Sequence, residues 1–166
     1  MPDILYQGRR MRIERETVRL PSGAEKDRIV VRPGKAVAIL PRDGDTCVLI
    51  RQYRHAVGRW IYEAPAGTMD EGELPEETAR RELAEETGLA AARWEPAGCI
   101  YTTPGFTDEV IYLFAASELS PAPGASPDED EMIEVVRIPC KRVGQMIRDG
   151  SIVDAKTICL AVRCLG

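Results

Sequence analysis

The stretch GTMDEGELPEETARRELAEETGL, Gly67 to Leu89, decides how the chain is read. Its second part has the marks of a helix over residues 74–87. Pro75 suits a first helical turn, Glu76 and Glu77 complement the positive end, and Gly88 is a natural stop. On a helix, residues three and four apart share a face, with Cβ atoms about 5–6 Å apart. Glu82, Glu85 and Glu86 therefore project to one side, while Ala79 and Leu83 mark the buried side. Three carboxylates on one face repel unless something answers them. Arg81, four residues before Glu85, is one answer. A bound cation is a stronger one, because hard divalent ions such as Mg²⁺ prefer oxygen ligands. Taken alone, the helix is equally a solvated acidic face. Gly67 and Gly88 bracket it as turn and cap, and Gly67 permits a close backbone approach just before it.

Outward from this helix the chain alternates short apolar runs with turn residues. Residues 36–40 and 47–52 read as two buried strands joined by the turn Pro41-Arg42-Asp43-Gly44-Asp45, and residues 60–63 as a further short strand that Pro65-Ala66-Gly67 ends. Strands are expected over 95–101, 109–117 and 133–138, with a Pro-, Ser- and Gly-rich loop over 119–127 between the last two. Helices are expected over 140–149 and 157–164. Residues 4–32 read as an extended arm, with Met11, Ile13, Val18 and Leu20 as its apolar positions and Pro21-Ser22-Gly23 as a turn. The arm is too small for a core of its own, which divides the chain into 1–34 and 35–166. Strands mixed with helices predict an α/β sandwich around a mixed sheet.

Composition excludes several classes. The 166 residues suffice for one sizeable core, and 44% hydrophobic with 30% charged residues is the balance of an ordinary globular protein. No apolar run approaches the roughly 20 residues of a membrane helix, and the N-terminus lacks a secretory pattern. A net charge of −5 argues against a nucleic-acid partner. The five cysteines, Cys47, Cys99, Cys140, Cys159 and Cys164, are odd in number and contain no C-x-x-C pair. They suggest small hydrophobic residues in a reducing cytoplasm, not a disulfide framework or a zinc site.

The spacing Gly67, five residues, Glu73, seven residues, Arg81-Glu82-Leu83-any-Glu85-Glu86-any-Gly88-Leu89 resembles the signature of the Nudix hydrolase superfamily, with every specified position filled. Arg51-Gln52-Tyr53-Arg54, Glu63-Ala64-Pro65-Ala66-Gly67 and Thr103-Pro104-Gly105-Phe106-Thr107-Asp108-Glu109 resemble its ADP-ribose pyrophosphatase branch. The resemblance implies a Nudix α/β/α sandwich, Mg²⁺ or Mn²⁺ as cofactor, and hydrolysis of a nucleoside diphosphate derivative. ADP-ribose, cleaved to AMP and ribose 5-phosphate, is the first expectation. GDP-mannose, another nucleotide sugar, NADH and a nucleoside triphosphate are the alternatives, with a non-catalytic nucleotide sensor as a reading of another class. The resemblance also implies an intertwined homodimer formed through the N-terminal arm.

Carried over residue by residue, it implies metal binding by the Ala66 carbonyl, Glu82, Glu85, Glu86 and Glu131. Arg81 and Glu73 would orient these carboxylates. A pyrophosphate needs cations, and Arg54, then Arg51, are the candidates to grip it. Thr68 and Glu109 are further candidates to contact the substrate. The chemistry also needs a carboxylate to take a proton from water. Glu129 falls at that position by resemblance, with Glu131 and Glu85 left open. Trp60, Tyr62, Tyr6 and Tyr101 are candidates to stack on a base, each more often core or interface. His55, the single histidine, reads as a surface loop residue.

Overall fold

The computed structural model describes residues 2–123 and 132–165. Among them lie ten strands and three helices. The N-terminal arm is a three-stranded antiparallel sheet of β1 (Asp3–Gln7), β2 (Arg12–Arg19) and β3 (Glu25–Arg32), in the order β1-β2-β3. The remaining strands are β4 (Lys35–Asp43), β5 (Thr46–Arg54), β6 (Arg59–Glu63), β7 (Ala66–Thr68), β8 (Leu89–Tyr101), β9 (Val110–Pro121) and β10 (Ile133–Pro139). They form a mixed sheet in the order β10-β5-β4-β9-β8. Among the described strands of this sheet only β4 and β9 run parallel, and the other pairings are antiparallel.

β4 and β5 hydrogen-bond only at their hairpin end, Arg42 to Cys47 and Asp43 to Thr46. Beyond it they diverge. β7 pairs with β4 over residues 36–38, and β6 pairs with β5 over residues 50–54. The wedge between the two strands is the place into which Ala64, Pro65 and Ala66 run.

Both faces of β4 are buried, as the continuous run Ala-Val-Ala-Ile-Leu requires. Side chains alternate across a strand. Val37 and Ile39 therefore join Ala79, Leu83, Phe114 and Ala116 on one face, under α1 (Pro75–Thr87). Ala38 and Leu40 join Leu49, Leu113, Val143 and Leu160 on the other, under α2 (Cys140–Arg148) and α3 (Ala155–Cys164). A sheet with helices on both faces is the expected α/β/α sandwich. No helix among the described residues is long and apolar enough to cross a membrane.

The structure departs from the sequence expectations at three edges. β7 was not expected at all. Three residues, one of them glycine, carry no alternation, and only pairing to β4 makes them a strand. β8 begins at Leu89 instead of residue 95, because its Ala-rich start pairs with the end of β9 despite weak intrinsic preference. β9 accordingly runs to Pro121, into the segment read as a loop. The cysteines divide by position. Cys47 is buried and Cys99 exposed, and all five are unpaired thiols. Cys47 Sγ lies 3.1 Å from Cys140 Sγ, and burial pushes the Cys47 thiol well above its ordinary range.

The arm touches the sandwich through a small set of contacts. Val31 N–H donates to the Phe106 carbonyl at 2.8 Å. Arg32 donates to Glu14 at 2.8 Å and Glu16 at 2.6 Å within the arm, and to Asp108 at 2.9 Å outside it. These three carboxylates, Glu14 first, hold the Arg32 guanidinium still more firmly as a cation.

Candidate active site

α1 presents its carboxylates as the 3.6-residue repeat dictates. Ala79 and Leu83 are fully buried, and Glu86, one turn beyond Glu82, is 7% exposed. The Glu86 carboxylate accepts the Ala66 N–H at 2.8 Å. Glu82 packs over Gly67, where an added Cβ would sit 1.9 Å from its carboxyl carbon. A side chain at position 67 would therefore displace the Glu82 carboxylate, and two carboxylates one turn apart close on the same segment, Ala66-Gly67.

Arg81 gathers the rest. Its Nη1 donates to Glu82 at 2.6 Å and to Glu85 at 2.9 Å, and its Nη2 to the Thr68 carbonyl at 3.2 Å. Nε and Nη2 fork onto Glu73 at 3.1 Å each. Glu73 also accepts Thr78 Oγ1 at 2.7 Å and the Asp70 N–H at 3.1 Å. Arg81 and then Thr78 hold the Glu73 carboxyl down at about 2, and Glu73 in turn strengthens the charge on Arg81. The loop from residue 68 to residue 73 is thereby tied to the helix it precedes.

Ala66, Gly67, Arg81, Glu82, Glu85 and Glu86 border a cavity of about 1060 Å³ that Arg54, Thr68, Glu109 and Lys156 also line. Arg54 leaves the end of β5 and forks onto Glu63 of β6, Nε to Oε1 at 2.6 Å and Nη2 to Oε2 at 2.8 Å. Burial alone would raise the Glu63 carboxyl, but Arg54 and Lys156 outweigh it and hold it below the ordinary carboxylate range. Glu109 accepts Thr102 Oγ1 at 2.6 Å. Arg51 does not border the cavity. It pairs with Glu134 at 3.0 Å across β5 and β10 and lies over the Trp60 ring at 5.0 Å. Trp60 and Tyr62 are half-buried on β6, while Tyr6 and Tyr101 are exposed. His55 lies exposed in the β5–β6 turn, edge-on to Tyr53. Glu129 and Glu131 lie outside the described residues.

Three groups at the site, Arg9, Arg10 and Lys156, carried no signal in the sequence, and Glu63 stood there only as part of the stretch that resembles the ADP-ribose pyrophosphatase branch. Arg9 and Arg10, in the turn between β1 and β2, border the cavity from the arm. Lys156 and Glu63 meet across 93 positions of sequence. Local pattern carries no trace of such a contact; Asp154, two residues before Lys156, marks only a helix start.

Among the described residues no three His, Cys, Asp or Glu side chains converge into a closed cage, because Arg81 stands between Glu82 and Glu85. The donor set nevertheless fits a hard divalent ion. It consists of carboxylate oxygens beside a backbone segment, with a glycine where a side chain would fill the space.

The chain belongs to the Nudix family: a model described as NUDIX domain matches residues 32–160. Nudix hydrolases use divalent metal ions. The chain is 37% identical over 155 residues to an ADP-ribose pyrophosphatase of Bacillus subtilis (strain 168), covering 92% of this chain and 84% of that protein. It is 36% identical over 163 residues to a methanol dehydrogenase activator of Bacillus methanolicus, covering 97% and 88%. Its fold superimposes on the crystal structure of an ADP compounds hydrolase with a TM-score of 0.85 at 25% identity, covering 97% of this chain and 90% of the other.

Proposed function

We propose that this protein hydrolyses ADP-ribose to AMP and ribose 5-phosphate, with Mg²⁺ or Mn²⁺ as the cofactor. The observation that carries the reading is the closure of Glu82 and Glu86 on Ala66-Gly67 beside a cavity that Arg54 also borders. The full-length similarity to an ADP-ribose pyrophosphatase supports the choice of substrate.

The Ala66 carbonyl, Glu82, Glu85 and Glu86 would hold the ion, with Glu131 as a further ligand. The ion would supply Lewis-acid stabilisation of charge on the phosphate oxygens and lower the pKa of bound water. Arg54 binds a phosphate through the guanidinium edge that Glu63 does not use. Thr68 and Glu109 border the space for the rest of the substrate, whereas Arg51, a candidate from the resemblance, pairs with Glu134 outside that space. Arg81 keeps the carboxylates oriented. In the reaction water attacks phosphorus, the bridging P–O bond breaks, and a carboxylate takes the water's proton. Glu129 is the first choice for that role, with Glu131 and Glu85 as the other two.

The reading includes a homodimer formed through the arm, which exposes Ile4, Leu5, Tyr6, Met11 and Ile29. It also includes a cytoplasmic setting, in keeping with five unpaired thiols. The domain division at residue 34 falls just after β3, where Pro33-Gly34 separates the arm from the sandwich.

A panel of ADP-ribose, GDP-mannose, NADH and nucleoside triphosphates with Mg²⁺, read as phosphate after phosphatase coupling, tests the substrate. ADP-ribose should give the highest kcat/KM. A preference for any other member overturns the substrate, and binding without turnover under all metal conditions overturns the enzyme. Light scattering at micromolar concentration tests the dimer, and a monomer mass refutes it.

A further inference from the structure

We propose that Glu63 and Lys156 are positioning residues which together set the guanidinium of Arg54 for the substrate's phosphates. The proposal rests on the hydrolase reading above and extends it to residues outside the family signature.

Glu63 is 1% exposed and does not border the cavity, yet both residues that pair with it do. Arg54 takes one oxygen with Nε and the other with Nη2. This fork fixes the plane of the guanidinium and leaves the Nη1 edge of the same rigid group for a ligand. Lys156, in the first turn of α3, donates to Glu63 Oε2 and, at 2.9 Å, to Asp154 Oδ1. A buried carboxylate has lost its water, and a second cation satisfies the acceptor capacity that Arg54 leaves.

Lys156 is itself held in register. Asp154 caps α3 by accepting the Thr157 N–H at 2.9 Å and Thr157 Oγ1 at 2.6 Å. Thr157 Oγ1 accepts the Ala64 N–H at 2.7 Å. The start of α3 thus fixes β6 and the residue just after it through Glu63 and Ala64, and through Glu63 it fixes Arg54. Removing Lys156 leaves Glu63 short of one donor, and the fork on Arg54 loses its single geometry.

The test is a double-mutant cycle read in two assays. ADP affinity is measured by calorimetry with a chelator present, so that only the protein's own groups bind the phosphates. KM and kcat are measured on the best substrate of the panel. Lys156→Met should weaken ADP binding and raise KM by about tenfold while kcat changes by less than about threefold. Lys156→Arg should restore affinity to within about threefold. In an Arg54→Ala background, Lys156→Met should cost less than about twofold more, because a residue acting through Arg54 is non-additive with it. Unchanged affinity in Lys156→Met, additive losses in the double variant, or no rescue by Lys156→Arg overturns the proposal. Should Lys156→Met fail to fold by circular dichroism, Lys156→Gln takes its place in the cycle, with the same thresholds. ADP binding that follows this pattern in a protein inactive on every panel member would overturn the hydrolase reading alone.

Discussion

A methyl group at position 67 would lie 1.9 Å from the Glu82 carboxyl carbon and 2.0 Å from one of its oxygens. The colliding atoms are the mobile end of a side chain, so Gly67→Ala should fold normally while Glu82 swings aside. Displacing a reacting group by about 1 Å costs roughly a hundredfold. Gly67→Ala should therefore lower kcat by about that factor with a melting temperature close to wild type; an active Gly67→Ala enzyme would show that Glu82 acts from elsewhere. Glu82→Gln, which keeps the shape and removes the charge, should lower turnover at least about a hundredfold with the far-UV spectrum unchanged. The spacing of Glu82, Glu85 and Glu86 was legible because helical geometry fixes which residues share a face. The partner of each was not. Arg81 reaches Glu73, eight positions away, as well as Glu85, and Glu86 answers to a backbone N–H on another element.

Elements meet where one of them ends. At the entry to α1, Glu73 is held at about 2 by Arg81, against its ordinary value of 4.5. A carboxyl lowered by folding stabilises the fold above its unfolded pKa, and that contribution is lost as protonation proceeds toward the folded value. Stability should therefore fall as pH drops from about 4.5 to about 2, and Glu73→Gln should flatten that part of the melting curve against pH. An identical slope in the variant would place the acid sensitivity on another group. At the entry to α3, Thr157 is fully buried, accepting from Ala64 and donating to Asp154. Thr157→Val leaves the Ala64 N–H unmet and should cost about 1–3 kcal/mol in urea denaturation. A loss within error would mean that water takes over the bond. α1 was readable from its proline, acidic first turn and terminal glycine. The ends of β8 and β9 and the whole of β7 were not, because pairing with a neighbour made them strands.

Across the molecule, one sheet separates two apolar layers and carries the site at the open end of the wedge between β4 and β5. The apolar run of β4 announced a strand buried on both faces, and with it the sandwich. Nothing in the local pattern placed the arm's Arg9 and Arg10 beside the cavity, since that depends on how β3 meets residues 106–108. Arg32 is the principal charged tie there, and Arg32→Ala should free the arm to early proteolysis while the sandwich stays protected; equal resistance of both parts would refute this division. The acidic face of α1 has a further consequence. Arg81 already pairs with Glu73, Glu82 and Glu85 from within the chain and offsets part of their charge, so the helix carries a replaceable countercharge of its own. Occupancy and foldedness are then separate variables. Stripping ions with EDTA should stop turnover yet leave the melting temperature nearly unchanged, and a collapse of the fold on chelation would contradict it. A protein built this way can stand idle and intact, its output rising and falling with the free ion around it.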